Sequence, residues 1–400
     1  MSKNVTLEEK INIKNKFDEI YDIADFCTLL NHCCVILFSE DLLKINEKSL
    51  KILADQNNKS RYYKFDVPKK NGGVRVIHSP NSELKMVLKC INLIFNCIYT
   101  PHTAATGFVT GKSVVDNSII HCGSNYVFNL DLKDFFPSIE IGRILNRFNF
   151  PPFNLNKNNN RDLIGNYIGW LACESMIVER TLDNKMTKVV KRVLPQGSPL
   201  SPTLTNIICE RLDRRLTGLA NRHGVKFSRY ADDITFSSMH NVYQSNSDFR
   251  NSVVDIIKSQ YFTINESKVR LQKNIVRQEV TGLVVNKTVN VSKSYVKRLR
   301  LWLNMWEKYG TQEALVLFLN GYIKDKGHAK KIGENSFFME NVIEGKLNYL
   351  KMVKGENNST YLSLKKRFEK LSLKNNSIDE ILEIWEKKGI NEAMSKFYKV

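Results

Sequence analysis

Phe227-Ser-Arg-Tyr-Ala-Asp-Asp-Ile-Thr-Phe236 sets two adjacent carboxylates between two runs of aromatic and β-branched residues. Strand formers on either side of a short polar turn predict a β-hairpin with Asp232 and Asp233 at its tip. Adjacent aspartates in such a turn are ordinarily solvated turn formers, because each can bond its own backbone. A chemical role for the pair needs support from elsewhere in the chain.

That support is Tyr126-Val-Phe-Asn-Leu-Asp-Leu-Lys-Asp-Phe-Phe-Pro-Ser-Ile139, which has the composition of a buried strand and carries Asp131 at its polar interruption. A carboxylate among Val, Phe and Leu is costly unless a cation or hydrogen-bond donor meets it. If the two strands are neighbours in one sheet, Asp131 comes opposite the hairpin tip and three carboxylates converge. Such a group repels itself without metal. Two Mg2+ ions roughly 3.5–4 Å apart are the standard arrangement for in-line phosphoryl transfer.

The order Asp131-Leu-Lys-Asp-Phe-Phe136, Leu194-Pro-Gln-Gly-Ser-Pro-Leu-Ser-Pro202 and Tyr230-Ala-Asp-Asp233 resembles the catalytic motifs of reverse transcriptases, specifically the bacterial retron type. The likeness runs from about Arg61 to about Leu371, most of the chain. It implies an α+β right-hand polymerase fold. Residues 1–60 would form a helical N-terminal extension, 61–125 and 151–204 the fingers, 126–150 and 205–288 the palm with its antiparallel sheet, and 289–400 a helical thumb with a C-terminal extension.

By the same resemblance, Asp131 and Asp232 ligate both Mg2+ ions, Asp233 is a weaker or single-ion ligand, and the Leu132 carbonyl joins them. Phe136 lies five residues after Asp131, where the family places a ring under the sugar of the incoming nucleotide, so a 2′-hydroxyl would be excluded. Gln196 and Gly197 match residues that contact that nucleotide near its sugar and base. Lys268 resembles a lysine near the triphosphate, with an ordinary surface lysine as the competing reading.

Upstream, Tyr62 to Ile77 reads as two strands joined by a turn on Asn71-Gly72-Gly73. In the family this is the fingers hairpin that folds over the nucleotide. Arg75, and either Lys69 or Lys70, would hold the triphosphate, which suits a bidentate guanidinium and a point-charge ammonium. Thr106-Gly-Phe-Val-Thr-Gly-Lys-Ser113 has one residue too few between its glycines for a P-loop. In related polymerases this block follows the template, where Lys112 would meet phosphates. Asn117-Ser-x-x-His121 partly matches the Asn-Ala-x-x-His motif of retron enzymes, with Ser118 in place of Ala, and Val280-Thr281-Gly282 reproduces a second retron motif near the primer grip. Both are expected beside nucleic acid, although a single His after two Ile residues is more often a hydrogen-bonded core or boundary residue than a ligand.

Composition agrees with a polyanionic partner: 60 Lys and Arg stand against 41 Asp and Glu, a formal charge of +19 over 400 residues. Eight cysteines at 27, 33, 34, 90, 97, 122, 173 and 209 include no Cys-x-x-Cys pair, which predicts reduced core thiols and no zinc site. No apolar run is long enough to span a bilayer and the first residues are polar, so a soluble, cytoplasmic protein without membrane partners is expected.

Helical spacing is expected over residues 83–100, 163–178, 204–216 and 249–261. Past Lys287 an amphipathic helix carries Lys293, Lys297, Arg298 and Arg300 beside Val296, Leu299, Leu303 and Trp306. Lys297 and Arg298 are candidates for gripping duplex phosphates. The last thirty residues suggest one more helix. The resemblance further implies a structured non-coding RNA as template and primer, dNTPs, a branched RNA–DNA product, and an effector or toxin protein from the same locus. Another defence-associated or intron-encoded reverse transcriptase, or a non-catalytic RNA-binding protein that keeps the fold, are the alternatives.

Overall fold

The computed structural model describes residues 5–38, 44–68, 72–157, 161–182, 185–326 and 337–397. Lys69 and Lys70 lie outside the described residues. The chain divides into two compact units, residues 1–281 and 282–400.

The first unit begins with helices α1 (Leu7–Glu19), α2 (Ile23–Phe38) and α3 (Glu47–Ala54). Thr6 and Glu9 close a capping box at the start of α1, which satisfies amide donors left free by the first turn. Strands β1 (Tyr62–Pro68) and β2 (Val74–Pro80) pair antiparallel, with Val67 opposite Arg75. In α4 (Ser82–Ile98) the residues at helical spacing, Leu84, Val87, Leu88, Ile91, Ile94 and Phe95, are all buried, as the periodicity requires. The three N-terminal helices share this core rather than standing apart from it.

After α5 (Val114–Ile119) comes β3 (Tyr126–Asp131), then α6 (Ile141–Phe148) and α7 (Asp162–Ala172). Here the structure departs from the sequence reading, which carried the helix on to Val178. Helix α7 stops at Cys173, whose amide bonds the Gly169 carbonyl, and β4 (Glu174–Leu182) pairs with β5 (Lys185–Val193) in a two-stranded ribbon. Ile177 and Val178 face Val190 and Val189 across that ribbon. Pairs of β-branched residues suit strand geometry better than a further helical turn.

Helices α8 (Ser201–Arg222) and α9 (Asp248–Ser259) flank β6 (Lys226–Tyr230) and β7 (Asp233–Ser238), and β8 (Arg270–Lys273) follows. The four strands form one antiparallel sheet in the order β6-β7-β3-β8. Strand β3 has neighbours on both edges, which is why it reads as nearly continuous apolar sequence. Phe236 of β7 packs edge-on against Phe249 of α9 with ring centres 5.2 Å apart, and Phe227 stacks on Phe236 at 5.1 Å. These contacts tie the hairpin's base to the helical layer and leave its tip at the sheet's end.

The second unit holds α10 (Lys293–Lys326), α11 (Phe337–Lys354), α12 (Ser359–Lys388) and α13 (Ile390–Phe397). Leu299, Leu303 and Trp306 of α10 are buried. Gly310 breaks α10 with φ +74, and Trp302 and Phe318 meet edge-on across the break, ring centres 4.9 Å apart. Helix α12 runs on past Leu371, where the family likeness ends, to Lys388, with no Gly or Pro to interrupt it, and stops at Gly389, φ +87. None of the eight cysteines forms a disulfide. Among the described residues no helix is long and apolar enough to cross a membrane.

Candidate active site

The sheet register brings the carboxylates together. Asp131, the last residue of β3, lies directly opposite Asp233, the first of β7, so both side chains leave the same face. Asp232 directly precedes Asp233 in the β6–β7 turn, and its backbone carbonyl accepts a 3.1 Å hydrogen bond from the Leu132 amide. Asp233 therefore opens a strand and is not a turn residue; the tip is Ala231-Asp232.

Burial, then the neighbouring Asp232 and Asp131 charges, push the Asp233 carboxyl up to about 6. Burial likewise raises Asp232, helped by Asp131 and opposed by Lys268 and Arg75. Arg75, on β2, is thus close enough for its charge to act on Asp232. The Asp131 oxygens are engaged: Oδ1 accepts from Asn265 Nδ2 at 3.1 Å, and Oδ2 lies 2.8 Å from Lys268 Nζ.

An all-oxygen set with excess negative charge fits a hard divalent cation. Among the described residues, however, no three His, Cys, Asp or Glu side chains are gathered as a finished metal cage. Asp131 is turned to an amide and an ammonium instead, and a cation would have to draw it away from Lys268.

The flanking loop is built around the same point. His78 on β2 donates its amide to the Gln196 carbonyl at 2.8 Å. Gly197 has φ +123, and a Cβ there would lie 2.7 Å from the His78 carbonyl oxygen and from Ile77 Cγ2. Only glycine lets the loop approach β2 so closely. Phe136 is half-buried, its ring centre 5.6 Å from Phe135 and 6.2 Å from Phe108, while Phe135 is core.

Residues 67–292, more than half of the chain, match the family model described as reverse transcriptase (RNA-dependent DNA polymerase). The chain is 30% identical over 249 residues to the retron Ec86 reverse transcriptase of Escherichia coli, covering 60% of this chain and 68% of that protein. This chain belongs to the retron-type reverse transcriptase family. It is also similar to two reverse transcriptases of Myxococcus xanthus. With that of retron Mx65 it shares 32% identity over 272 residues, 66% of this chain and 60% of the relative. With that of retron Mx162 it shares 34% over 239 residues, 57% and 47%. The chain thus spans about half to two thirds of the length of these curated relatives. Its α+β architecture is the right-hand polymerase fold expected from the motifs.

The remaining residues singled out by sequence have partners of their own. Asn117 and His121 are fully buried. His121 Nδ1 is 2.8 Å from Ser237 Oγ and Nε2 is 2.7 Å from Ser228 Oγ, and Ser228 Oγ donates to Asn117 Oδ1 at 2.7 Å. Burial, with Lys226 nearby, holds the His121 ring at about 3, far below its usual value, so it is neutral. In this conformation neither side chain has surface to offer nucleic acid, which corrects the expectation of direct contact. The same cluster reaches the second retron motif. Ser118 Oγ donates to the Val280 carbonyl at 3.0 Å and lies 3.1 Å from Thr281 Oγ1. Thr281 and Gly282 both have left-handed backbones, φ +46 and +82.

Lys112 is exposed, with Nζ on the carbonyls of Thr103 and Ala105 at 3.1 and 3.0 Å. In the second unit Lys297 lines a cavity of about 440 Å3 with Lys293, Arg300 and Lys354, and no carboxylate lines it; Arg298 is exposed on the same helix. The reading of the sequence missed Asn265, Ser228 and Ser237. The two serines interrupt apolar strands, a sign of a buried polar partner, but nothing local names His121 as that partner.

Proposed function

We propose that this chain is an RNA-directed DNA polymerase of the retron type that copies a structured non-coding RNA into DNA. The observation that carries the reading is the register setting Asp131 opposite Asp233, with Asp232 immediately before Asp233 in the β6–β7 turn. Asp131, Asp232, Asp233 and the Leu132 carbonyl would hold two Mg2+ ions. When bound, such ions lower the pKa of the primer hydroxyl and neutralise charge on the triphosphate and its leaving pyrophosphate.

The chain's own groups do the rest. Arg75, with Lys69 or Lys70, grips the triphosphate oxygens, where charge grows in the transition state. Gln196 and Gly197 orient the nucleotide, and Phe136 blocks a 2′-hydroxyl. Lys268, released from Asp131 when cations bind, is within reach of the same phosphates. Residues 61–125 and 151–204 act as fingers, 126–150 and 205–288 as palm, and 289–400 as a thumb whose Lys297 and Arg298 meet duplex phosphates. The basic cavity beside Lys297 supports that last assignment. The RNA supplies a guanosine 2′-hydroxyl as primer, the product is a branched RNA–DNA, and an effector protein from the same locus links it to antiphage defence.

The test is to purify the chain from its native locus and treat the bound nucleic acid separately with ribonuclease, deoxyribonuclease and debranching enzyme. DNA of one discrete length joined to RNA through a 2′–5′ linkage is expected. Unbranched DNA would keep the polymerase and remove the retron assignment. Absence of DNA together with a silent primer-extension assay would remove both.

A further inference from the structure

Ala231, which leads directly into Asp232, has φ +56. Left-handed backbone is uncommon for a residue with a Cβ and persists only where the surroundings enforce it. The side chain that reaches it is that of Arg229, the penultimate residue of β6, which is fully buried. Its Nη1 donates to the Ala231 carbonyl at 3.1 Å. The rest of the guanidinium is fixed from α8: Nε and Nη2 each bond one oxygen of Asp213 at 2.7 Å, and Nη2 also reaches Asn206 Oδ1 at 3.1 Å. Asp213 is fully buried as well.

Asn206 extends the brace. Its Nδ2 donates to the Gly107 carbonyl at 3.0 Å, and a Cβ on Gly107 would stand 2.5 Å from the Ala231 amide nitrogen. The backbone of Arg229 is pinned too, its amide to the Ala104 carbonyl at 2.8 Å and its carbonyl to the Thr106 amide at 2.9 Å. The turn that carries the carboxylates is thus held from one side by Leu132 and from the other by Arg229, Asn206 and the 104–107 segment.

A buried ion pair is a poor device for stability alone, since well-packed apolar residues of similar volume often replace one without loss. What an apolar pair cannot supply is a donor for the Ala231 carbonyl.

We propose that Arg229, oriented by Asp213 and Asn206, is a positioning residue that fixes the Ala231 backbone and thereby aims Asp232 and Asp233. The inference rests on reading those carboxylates as the metal-holding pair. It assigns Arg229 no contact with substrate. Its effect passes through the turn.

The test compares the full-length chain with the double variant Arg229→Met/Asp213→Leu, which removes both charges and the donor together, and with Gly107→Ala, which crowds the Ala231 amide and leaves the ion pair intact. Folding is followed by thermal melting, Mn2+ binding to the free protein by the electron paramagnetic resonance signal of unbound ion, and turnover by single-nucleotide incorporation. Both variants should melt cooperatively and bind RNA as wild type does. Mn2+ affinity should weaken about ten-fold or more, and kcat should fall roughly a hundred-fold with little change in KM.

A folded double variant with Mn2+ affinity and kcat within about two-fold of wild type, less than any positioning loss, would reduce Arg229 to packing. Should the double variant fail to fold, Gly107→Ala decides, and unchanged Mn2+ affinity in it overturns the proposal. The two readings fail separately: a wild-type chain that incorporates nothing, with Mn2+ binding still lost in the variants, removes the polymerase assignment and leaves Arg229 in place.

Discussion

Lys268 Nζ lies 2.8 Å from Asp131 Oδ2, pairing a carboxylate side chain that is 9% exposed with an ammonium that is 59% exposed. The lysine supplies the positive charge that the carboxylate cluster lacks, so it competes with any divalent cation for the same oxygen. An ion pair this exposed on one side contributes up to about 1 kcal/mol. Lys268→Ala should therefore tighten Mn2+ binding to the free protein by roughly two- to five-fold, read by titration calorimetry. Weaker or unchanged binding would mean that Lys268 does not oppose the ion.

Asp232→Asn keeps the size and the turn propensity of the side chain and removes its charge. Incorporation of dNTPs should fall by about three orders of magnitude, corresponding to several kcal/mol of lost charge stabilisation. RNA affinity, measured by filter binding at fixed salt, should stay unchanged. Wild-type incorporation in this variant would sink the assignment of the carboxylates.

The convergence of Asp131 with the hairpin was legible because strand periodicity survives at both sites: each carboxylate interrupts an apolar run, and pairing two such runs leaves few registers. The end of α7 was not, since apolar residues continue through Cys173 into β4 and the change from helix to strand comes from pairing with Val189 and Val190. The hydrogen-bond partners of His121 were illegible for a related reason. Its partners Ser228 and Ser237 lie 107 and 116 residues away, and sequence spacing carries no trace of a hydrogen bond closed by sheet topology. The acceptors of Lys112 were illegible too, because they are backbone carbonyls that no residue type announces.

The His121 cluster makes stability depend on pH. In the fold the ring stays neutral down to about 3, whereas in an unfolded chain it protonates near its ordinary value of about 6.5. The unfolded state then binds more protons throughout that window, so stability is complete above about pH 6.5 and is lost as pH falls below it. Between pH 7 and pH 5 this group alone should remove about 2 kcal/mol. Hydrogen exchange of peptides spanning β6 and β7 reads the change locally. A His121→Gln variant should show a flatter pH dependence than wild type, and equal slopes would refute the buried neutral ring.

Phe136 offers a test of sugar selection that leaves the fold intact. The ring is half-buried against Phe135 and Phe108, so shortening it opens space at the site without removing a fully buried core residue. Phe136→Val should raise incorporation of ribonucleotides relative to deoxynucleotides by roughly ten-fold or more, the scale of discrimination that steric fit to a small group provides. The change should fall on kcat/KM for the ribonucleotide while that for the deoxynucleotide moves little, because in the proposed role the ring would only reject the 2′-hydroxyl and would not bind the rest of the sugar. Competition between matched dNTP and NTP on one primer–template measures the ratio directly. An unchanged ratio would place the selecting group elsewhere, with Gln196 of the adjoining loop the next residue to vary.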